Sequence, residues 1–289
     1  MRRGLCLPHR GDRPVNPQIL IRETAALFHE AGIPDPAWDS ALLLAHITGR
    51  PALNLRLDMD TPLDNATLAR FYALRDQRLR RVPLQYLLHE QSFMGHTFYV
   101  DDRVLIPRPE TELLTELAIA ELQQRSTALD LCCGSGCIGI SMALAVPSAE
   151  VHAVDLSTGA LEVTRRNAGA LGAKITLHQG DLFAAVEGLR FDLIISNPPY
   201  IPTEDCRVLQ AEVMQEPDMA LDGGADGYDF YRRIAQAAPA HLTGSGVVLL
   251  EVGYDQAEGV ADLMRSAGFR EISIHNDLQG IPRMVVAHL

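Results

Sequence analysis

The sequence predicts an α/β protein in which a small helical domain precedes a larger domain built on a parallel sheet with helices on both faces. The chain has 289 residues, more than one typical domain holds. Apolar residues recur at helical spacing up to about residue 79, and short apolar strands alternate with helices from residue 110 onward. That alternation is typical of parallel sheets, whose strands are buried on both faces.

The N-terminal part of the chain is expected to contain three segments. Residues 1–16 are rich in Arg, Pro and Gly and lack periodicity, which predicts a flexible leader. Residues 17–90 show the apolar spacing of a helical bundle. Residues 91–108 predict a β-hairpin linker, because a short β pattern that contains Gly95 is followed by a rigid proline-rich stretch.

Residues 109–289 are expected to form the larger domain. Its helices are predicted at 110–124, 157–171, 228–242 and 256–267, and its seven strands at 128–131, 151–155, 175–178, 191–196, 246–252, 272–275 and 283–287. A turn-rich stretch separates the last two strands and predicts a terminal antiparallel hairpin. The carboxyl ends of the parallel strands should share one edge, where open α/β sheets bind their ligands.

Charge and composition exclude several classes of partner. Residues 1–90 hold 12 of the 25 basic and 10 of the 37 acidic residues, so 13 basic and 27 acidic residues remain for the larger domain. Such an acidic domain argues against direct DNA binding, which requires neutralisation of phosphates. No apolar run reaches the ~18 residues of a membrane span, so we expect a cytoplasmic protein without membrane contact. The cysteines and histidines lack the spacing of metal ligands, so no metal is expected.

A glycine-rich stretch joins the first strand of the predicted sheet to the next helix. The stretch Cys132-Cys133-Gly134-Ser135-Gly136 allows a ligand to approach the backbone, whose N–H groups at the helix start can meet polar groups. With Gly139 it also matches the G-x-G-x-x-G pattern of dinucleotide sites. The loop alone does not separate NAD from S-adenosylmethionine.

Three acidic residues are candidates for contact with that ligand. Asp155 ends the second strand, where a carboxylate can accept hydrogen bonds from ribose hydroxyls. Asp130 can accept from the backbone of the loop or from an ammonium group, which S-adenosylmethionine has and NAD lacks. Asp181 follows the third strand and can bind an adenine amino group while Leu182 covers the ring.

The most specific signal is Asn197-Pro198-Pro199-Tyr200, which directly follows an apolar strand. An amide or aromatic amine nitrogen is a poor nucleophile because its lone pair is delocalised. The Asn197 side-chain oxygen and the Pro198 carbonyl can each accept one N–H of such a nitrogen and aim it at an electrophile. Pro199 stiffens the loop, and Tyr200 can stack on a planar acceptor.

These motifs resemble the HemK-like family of protein N5-glutamine methyltransferases. The resemblance covers nearly the whole chain and includes Pro107-Arg108-Pro109-Glu110-Thr111-Glu112, Asp181-Leu182-Phe183 and Glu251-Val252-Gly253-Tyr254. It implies the Rossmann-like class I S-adenosylmethionine methyltransferase fold with a seven-stranded sheet, and a glutamine on a translation protein as substrate. It implies contacts to S-adenosylmethionine from Cys132 to Gly136, Asp155, Leu182 and Asn197, and to the glutamine from Asn197 to Tyr200. Arg108 either orients the acceptor backbone or closes the linker against the sheet.

The family has two branches with different protein substrates. One acts on the Gly-Gly-Gln glutamine of class 1 peptide chain release factors, and the other on a ribosomal large-subunit protein. The segments 107–112 and 251–254 resemble the release-factor branch, which we predict for this chain. The segments 93–100 and 132–138 are closer to the ribosomal-protein branch.

Three other functions stay open. A DNA adenine-N6 methyltransferase uses a similar loop on a flipped base, but the acidity of the larger domain counts against it. An NAD-dependent dehydrogenase explains the glycine loop and leaves Asn197 to Tyr200 unexplained. A catalytically silent translation-factor adaptor would keep the fold, although the intact motifs argue against such decay.

Overall fold

The computed structural model describes residues 15–289, so the predicted leader lies almost entirely outside the described residues. The chain divides into two compact units, with the boundary between Leu88 and His89. No helix within residues 15–289 is long and apolar enough to cross a membrane.

The first unit is helical. Its helices are α1 (Pro17–Glu30), α2 (Pro36–Thr48), α3 (Ala52–Leu57), α4 (Asn65–Leu79) and α5 (Leu84–Leu88). The side chains of Asn16 and Asp64 cap α1 and α4 by accepting hydrogen bonds from backbone N–H groups of the first turn. Phe28, Leu44 and Phe71 are fully buried between the helices. Helices α3 and α5 were not predicted, because six residues or fewer are too short to show a 3.6-residue period.

The second unit begins with a hairpin and continues as alternating strands and helices. The hairpin consists of β1 (Gln91–Phe93) and β2 (His96–Phe98). The remaining elements are α6 (Pro109–Leu122), β3 (Thr127–Leu131), α7 (Cys137–Ala145), β4 (Glu150–Asp155), α8 (Thr158–Leu171), β5 (Thr176–Gln179), β6 (Phe191–Ser196), α9 (Asp229–His241), β7 (Leu242–Glu251), α10 (Ala257–Ser266), β8 (Glu271–Asn276) and β9 (Pro282–His288).

The strands form one seven-stranded sheet in the order β5-β4-β3-β6-β7-β9-β8. Strands β5 to β7 are parallel, and β9 runs antiparallel to both β7 and β8. The predicted α/β class with a helical N-terminal region is therefore confirmed, as is the terminal hairpin. The chain adds β4 and β5 on one side of β3 and then returns to place β6 on the other. This reversal opens a crevice at the carboxyl ends of β3 and β6.

Both faces of the sheet are covered, which explains why its central strands are continuously apolar. Leu193 and Ile195 pack against the layer that contains α6 and α7, whereas Ile194 packs against the layer that contains α9 and α10. Strand β7 starts four residues earlier than predicted, since Leu242 already pairs with Phe191 before a shift in register. The glycines and serine that follow Leu242 are poor strand formers and concealed this start.

A buried ion pair fixes the first unit. Arg78 of α4 donates from Nε to Asp39 Oδ2 of α2 at 2.8 Å, and the two residues are 4% and 7% exposed. Loss of the Asp39 carboxylate removes a buried ionic partner of Arg78, so we expect Asp39→Ala to lower the free energy of unfolding by about 3–5 kcal/mol. Urea denaturation followed by the fluorescence of Trp38, the only tryptophan, would measure this.

The matched control is Asp76→Ala, which removes an exposed ion pair with the adjacent Arg75 on the same helix. Exposed pairs contribute little to stability, so this variant should unfold near the wild-type midpoint. Equal shifts for the two variants would contradict the role of the buried pair.

Candidate functional site

A cavity of about 390 Å³ lies at the carboxyl ends of β3, β4, β5 and β6. Its volume is within the ~300–1,000 Å³ range of small-molecule pockets. Seven residues that the sequence singled out line it: Cys132, Gly134, Asp155, Asp181, Leu182, Asn197 and Pro199. Residues 103–105 of the predicted linker form a further wall, as does the segment 217–222, which sequence reasoning did not assign to the site.

The backbone of the glycine loop follows left-handed conformations. Gly134 has φ +55° and Gly136 φ +79°, values that glycine adopts without strain. Cys132 has φ +60°, a conformation that costs about 1–3 kcal/mol for a residue with a Cβ. The Thr164 hydroxyl donates to the Gly134 carbonyl at 2.8 Å and fixes the loop against α8.

Asp155 connects the glycine loop to the start of α8. Its Oδ2 accepts from the Gly134 N–H and its Oδ1 from the Ser157 N–H, both at 2.8 Å. Burial raises the pKa of Asp155, and these backbone hydrogen bonds partly offset that effect. Each carboxylate oxygen keeps a lone pair, so the residue can still accept from hydroxyl groups in the cavity.

Asp130 lies behind the glycine loop and outside the cavity lining. Its carboxylate is fully buried, and Oδ2 accepts from the Gly139 N–H at 2.9 Å. Of the two roles considered for Asp130, the structure therefore shows contact with the backbone. Burial raises its pKa to about 8.

The part of the cavity lining that contains Asp181 combines an acidic side chain with apolar side chains. Asp181 forms an ion pair with Arg233 of α9 at 2.6 Å. Leu182, with φ +50°, and Phe230 also line this part of the cavity. An adenine ring would find an apolar surface here and an acceptor for its amino group. Phe230 and Arg233 were missed because nothing near α9 in the sequence marks it as part of a site.

The charges that line the cavity favour a cationic ligand. Four carboxylates, Asp155, Asp181, Asp218 and Asp222, contribute to the lining, against the two guanidinium groups of Arg103 and Arg233. A pyrophosphate would be repelled by this excess of negative charge. The lining therefore fits the sulfonium and ammonium groups of S-adenosylmethionine better than it fits NAD.

Asn197 reaches the cavity from the end of β6. Its Nδ2 donates to the Thr111 hydroxyl at 3.1 Å, and no hydrogen bond from another group in residues 15–289 reaches its Oδ1. Pro199 also lines the cavity, whereas Pro198 and Tyr200 do not. Burial raises the pKa of the Tyr200 hydroxyl above its ordinary value, so the ring remains neutral. Its backbone carbonyl accepts from Gln256 at 3.0 Å, which fixes the end of the motif.

Arg108 closes the linker against the loop after β6. Its Nη2 lies 2.5 Å from Glu216 Oε1, and the second Glu216 oxygen accepts from the Ile106 N–H at 2.9 Å. The Glu216 side chain is only 1% exposed. This geometry shows the closing role, and contact of Arg108 with an acceptor stays a prediction. Glu216 was not recognised from the sequence, since its partners precede it by more than 100 residues.

The remaining predicted loop residues support the cavity from behind. Cys133, Ser135 and Gly136 lie next to the lining residues but are not part of it. Burial raises the pKa of Cys133 well above its ordinary value and that of Cys137 to about 12, so neither is a thiolate nucleophile. In residues 15–289, no cluster of three potential metal ligands occurs.

Comparison with known proteins identifies the family. The PrmC N-terminal domain matches residues 20–88, and the Methyltransferase small domain matches residues 110–225. A Release factor glutamine methyltransferase from Geobacter sulfurreducens is 41% identical over 263 residues, which cover 91% of this chain and 93% of that protein. This chain belongs to the HemK-like glutamine methyltransferase family.

Two further comparisons place the chain within its family and its fold. A Ribosomal protein uL3 glutamine methyltransferase from Bordetella pertussis is 43% identical over 230 residues, or 77% of each chain. A solved methyltransferase from Pyrococcus furiosus superposes with a TM-score of 0.50 at 17% identity, over 74% of this chain and 98% of that one. The latter similarity shows the fold. The cofactor of the chain described here is S-adenosylmethionine, and its acidic, partly apolar cavity fits that molecule.

Gly136 provides a test of the glycine loop. A Cβ at this position would lie 2.5 Å from Thr164 Cγ2, in a left-handed conformation that alanine adopts with strain. Thr164 would have to shift, and it holds the Gly134 carbonyl. We expect Gly136→Ala to weaken binding of S-adenosylhomocysteine at least about tenfold in calorimetric titration, which corresponds to a displacement cost of ~1.4 kcal/mol or more.

The control is Gly172→Ala at the end of α8, which has φ +72° but open space around its Cβ position. This variant shares the conformational strain without the clash, so its affinity should stay within about twofold of wild type. Wild-type affinity in Gly136→Ala would show that the loop does not depend on this glycine.

Proposed function

We propose that this enzyme transfers a methyl group to the side-chain amide nitrogen, N5, of the glutamine in the Gly-Gly-Gln motif of class 1 peptide chain release factors. The observation that carries the proposal is the position of Asn197 at the cavity. Its donor is engaged by Thr111, and its acceptor oxygen remains for an incoming amide. The relatives named as release factor glutamine methyltransferases support the same acceptor.

The residues of this chain then orient a weak nucleophile. S-adenosylmethionine, when bound, supplies an electrophilic methyl group on a positively charged sulfur. Asn197 Oδ1 and the Pro198 carbonyl each accept one N–H of the acceptor amide, so the nitrogen lone pair faces the methyl carbon. Transfer would break the bond between the sulfur and the methyl carbon, leave S-adenosylhomocysteine as the second product, and release one of these two N–H protons to solvent after the step. Alignment and exclusion of water provide most of the acceleration, so we assign no general base.

The extent of similarity favours the release factor over the ribosomal protein. The alignment with this chain covers 93% of the relative named for release factors, whereas it covers 77% of the relative named for ribosomal protein uL3. The PrmC N-terminal domain match, residues 20–88, lies in the helical unit. We propose that this unit contacts the release factor, and we keep the ribosomal protein as the second candidate because its named relative is equally identical where it aligns.

Acceptor specificity can be tested directly. The enzyme is incubated with S-adenosylmethionine and, in parallel, a class 1 release factor, the large-subunit protein uL3 and a DNA duplex. Peptide mass spectrometry should find one added methyl on the Gly-Gly-Gln glutamine and none on a release factor whose glutamine is replaced by alanine. Methylation of uL3 alone would select the second candidate, and methylation of DNA alone would contradict protein glutamine as the acceptor.

Asn197→Ala tests the proposed role of the acceptor loop, Asn197 to Tyr200. Loss of the orienting oxygen should lower methyl transfer at least about 100-fold, because misplacement of a reacting group by about 1 Å has effects of that size. Binding of S-adenosylhomocysteine should stay within a few-fold of wild type, since the other cavity walls are retained. The control Asn276→Ala removes an exposed amide at the end of β8 and should leave both quantities unchanged. Turnover near wild type in Asn197→Ala would contradict the proposed role.

A further inference from the structure

The Asn197 amide has two orientations of nearly equal shape, and only one of them serves the proposed reaction. An asparagine side chain carries a donor group and an acceptor oxygen that exchange places when it rotates by 180°. A glutamine amide that offers two N–H groups requires the oxygen to face the cavity. Some other contact must therefore distinguish the two orientations.

Thr111, in the first turn of α6, supplies this contact. Its hydroxyl accepts from Asn197 Nδ2 at 3.1 Å and donates to Glu251 Oε2 at 2.6 Å. A hydroxyl has a single hydrogen to donate. With that hydrogen engaged by Glu251, Thr111 can only accept from Asn197, so Nδ2 faces Thr111 and Oδ1 faces away from it.

Glu251, the last residue of β7, anchors the other end of this chain of hydrogen bonds. Thr111 and Glu251 are only 2% and 3% exposed, so water does not replace either partner. The backbone carbonyl of Glu251 also accepts from the Tyr231 hydroxyl at 2.9 Å, which fixes the strand end. An ionised carboxylate can accept but cannot donate, which gives the chain of hydrogen bonds one direction.

We propose that Thr111 and Glu251 are positioning residues that orient the Asn197 amide for methyl transfer through the relay Asn197 to Thr111 to Glu251. This inference rests on the proposed function, because it assigns the two residues a role in transfer to an amide. Neither residue lines the cavity. The direction of the relay depends on the charge of Glu251, since a protonated carboxyl can donate to Thr111 and free the threonine hydrogen for Asn197 Oδ1.

The surroundings of Glu251 place its protonation, and with it the direction of the relay, in an accessible pH range. Burial raises the pKa of Glu251 to about 7, and the hydrogen bond from Thr111 opposes that rise. Glu110 raises the pKa further, whereas Arg283 and Arg108 lower it. Tyr200 and Tyr231 also face the carboxylate, and both stay neutral because burial raises the pKa of each hydroxyl. The state in which Glu251 is ionised and Asn197 Oδ1 faces away from Thr111 therefore gains population as the pH rises through about 7.

The first experiment observes the relay without an acceptor. In the full-length protein labelled with ¹⁵N-asparagine, the Asn197 side-chain signals are assigned by their absence in Asn197→Ala and followed from pH 5.5 to 8.5. We expect them to shift with a midpoint near 7 in wild type. The midpoint should disappear in Glu251→Gln, and the shift should shrink several-fold in Thr111→Val. A wild-type signal that does not titrate, or the same midpoint in Glu251→Gln, would overturn the proposal.

The second experiment measures methyl transfer to the release factor. Thr111→Val keeps the shape and removes the hydroxyl, so kcat should fall roughly 10- to 100-fold while KM for the release factor changes less than about threefold. Thr111→Ser restores a hydroxyl and should recover most of the rate. Glu251→Gln should lose the rise of kcat between pH 6 and 8. Equal rates for Thr111→Val and Thr111→Ser would contradict the relay.

The matched control is Thr115→Val, one turn further along α6. Thr115 is also fully buried, and its hydroxyl donates to the Thr111 carbonyl at 2.8 Å without reaching Asn197. Its kcat should stay within about threefold of wild type, which separates the relay from the general cost of a lost buried hydroxyl. If the wild-type enzyme leaves release factors unmethylated, the proposed function fails, and the titration of Asn197 still decides whether the relay exists.

Discussion

The parallel pairing of β3 with β6 is the constraint on which the site depends. Leu131 and Ser196 are opposite each other at the ends of these strands, and the Ser196 hydroxyl donates to the Leu131 carbonyl at 2.7 Å. Neighbouring strands are about 4.8 Å apart, so the glycine loop and the acceptor loop begin within one strand spacing of each other. In the proposed reaction, methyl donor and acceptor nitrogen must meet at van der Waals distance, and this strand pairing brings together the two loops proposed to hold them.

Buried carboxylates then connect the loops to distant segments. Asp130 accepts from the start of α7, Glu216 from Ile106 and Arg108, and Glu251 from Thr111. Burial of a carboxylate is costly unless hydrogen bonds compensate for the lost hydration. Burial raises the pKa of all three, which indicates that the compensation is incomplete. The fold thus accepts a cost in stability at three points. These carboxylates hold the start of α7, Ile106 next to the lining residue Leu105, and Thr111, which accepts a hydrogen bond from Asn197.

The fold and the loop motifs could be predicted from the sequence because their signals are local. Seven apolar strands, the glycine loop and Asn197 to Tyr200 each occupy a few consecutive residues. The contacts that orient the site are not local: Thr111 precedes Asn197 by 86 residues, and Arg108 precedes Glu216 by 108. Thr111 looks like an ordinary residue of a helix start, and Glu216 looks like one more acid in an acidic loop. Only the folded chain shows that each has a specific partner, and only it shows Asp130 behind the loop rather than in the cavity.

The hydrogen-bonding groups around Asn197 also bear on how many methyl groups one substrate nitrogen receives. Asn197 offers a single acceptor oxygen because its donor is engaged by Thr111, and in the proposed reaction the Pro198 carbonyl would offer a second. An unmodified amide has two N–H groups and satisfies both acceptors, whereas the methylated amide has one and leaves an acceptor unpaired. A hydrogen bond lost in this way weakens binding by roughly 1–3 kcal/mol when the group stays buried. Under the proposed function, the site would therefore bind the product less tightly than the substrate, which would favour release after one transfer and disfavour a second methylation.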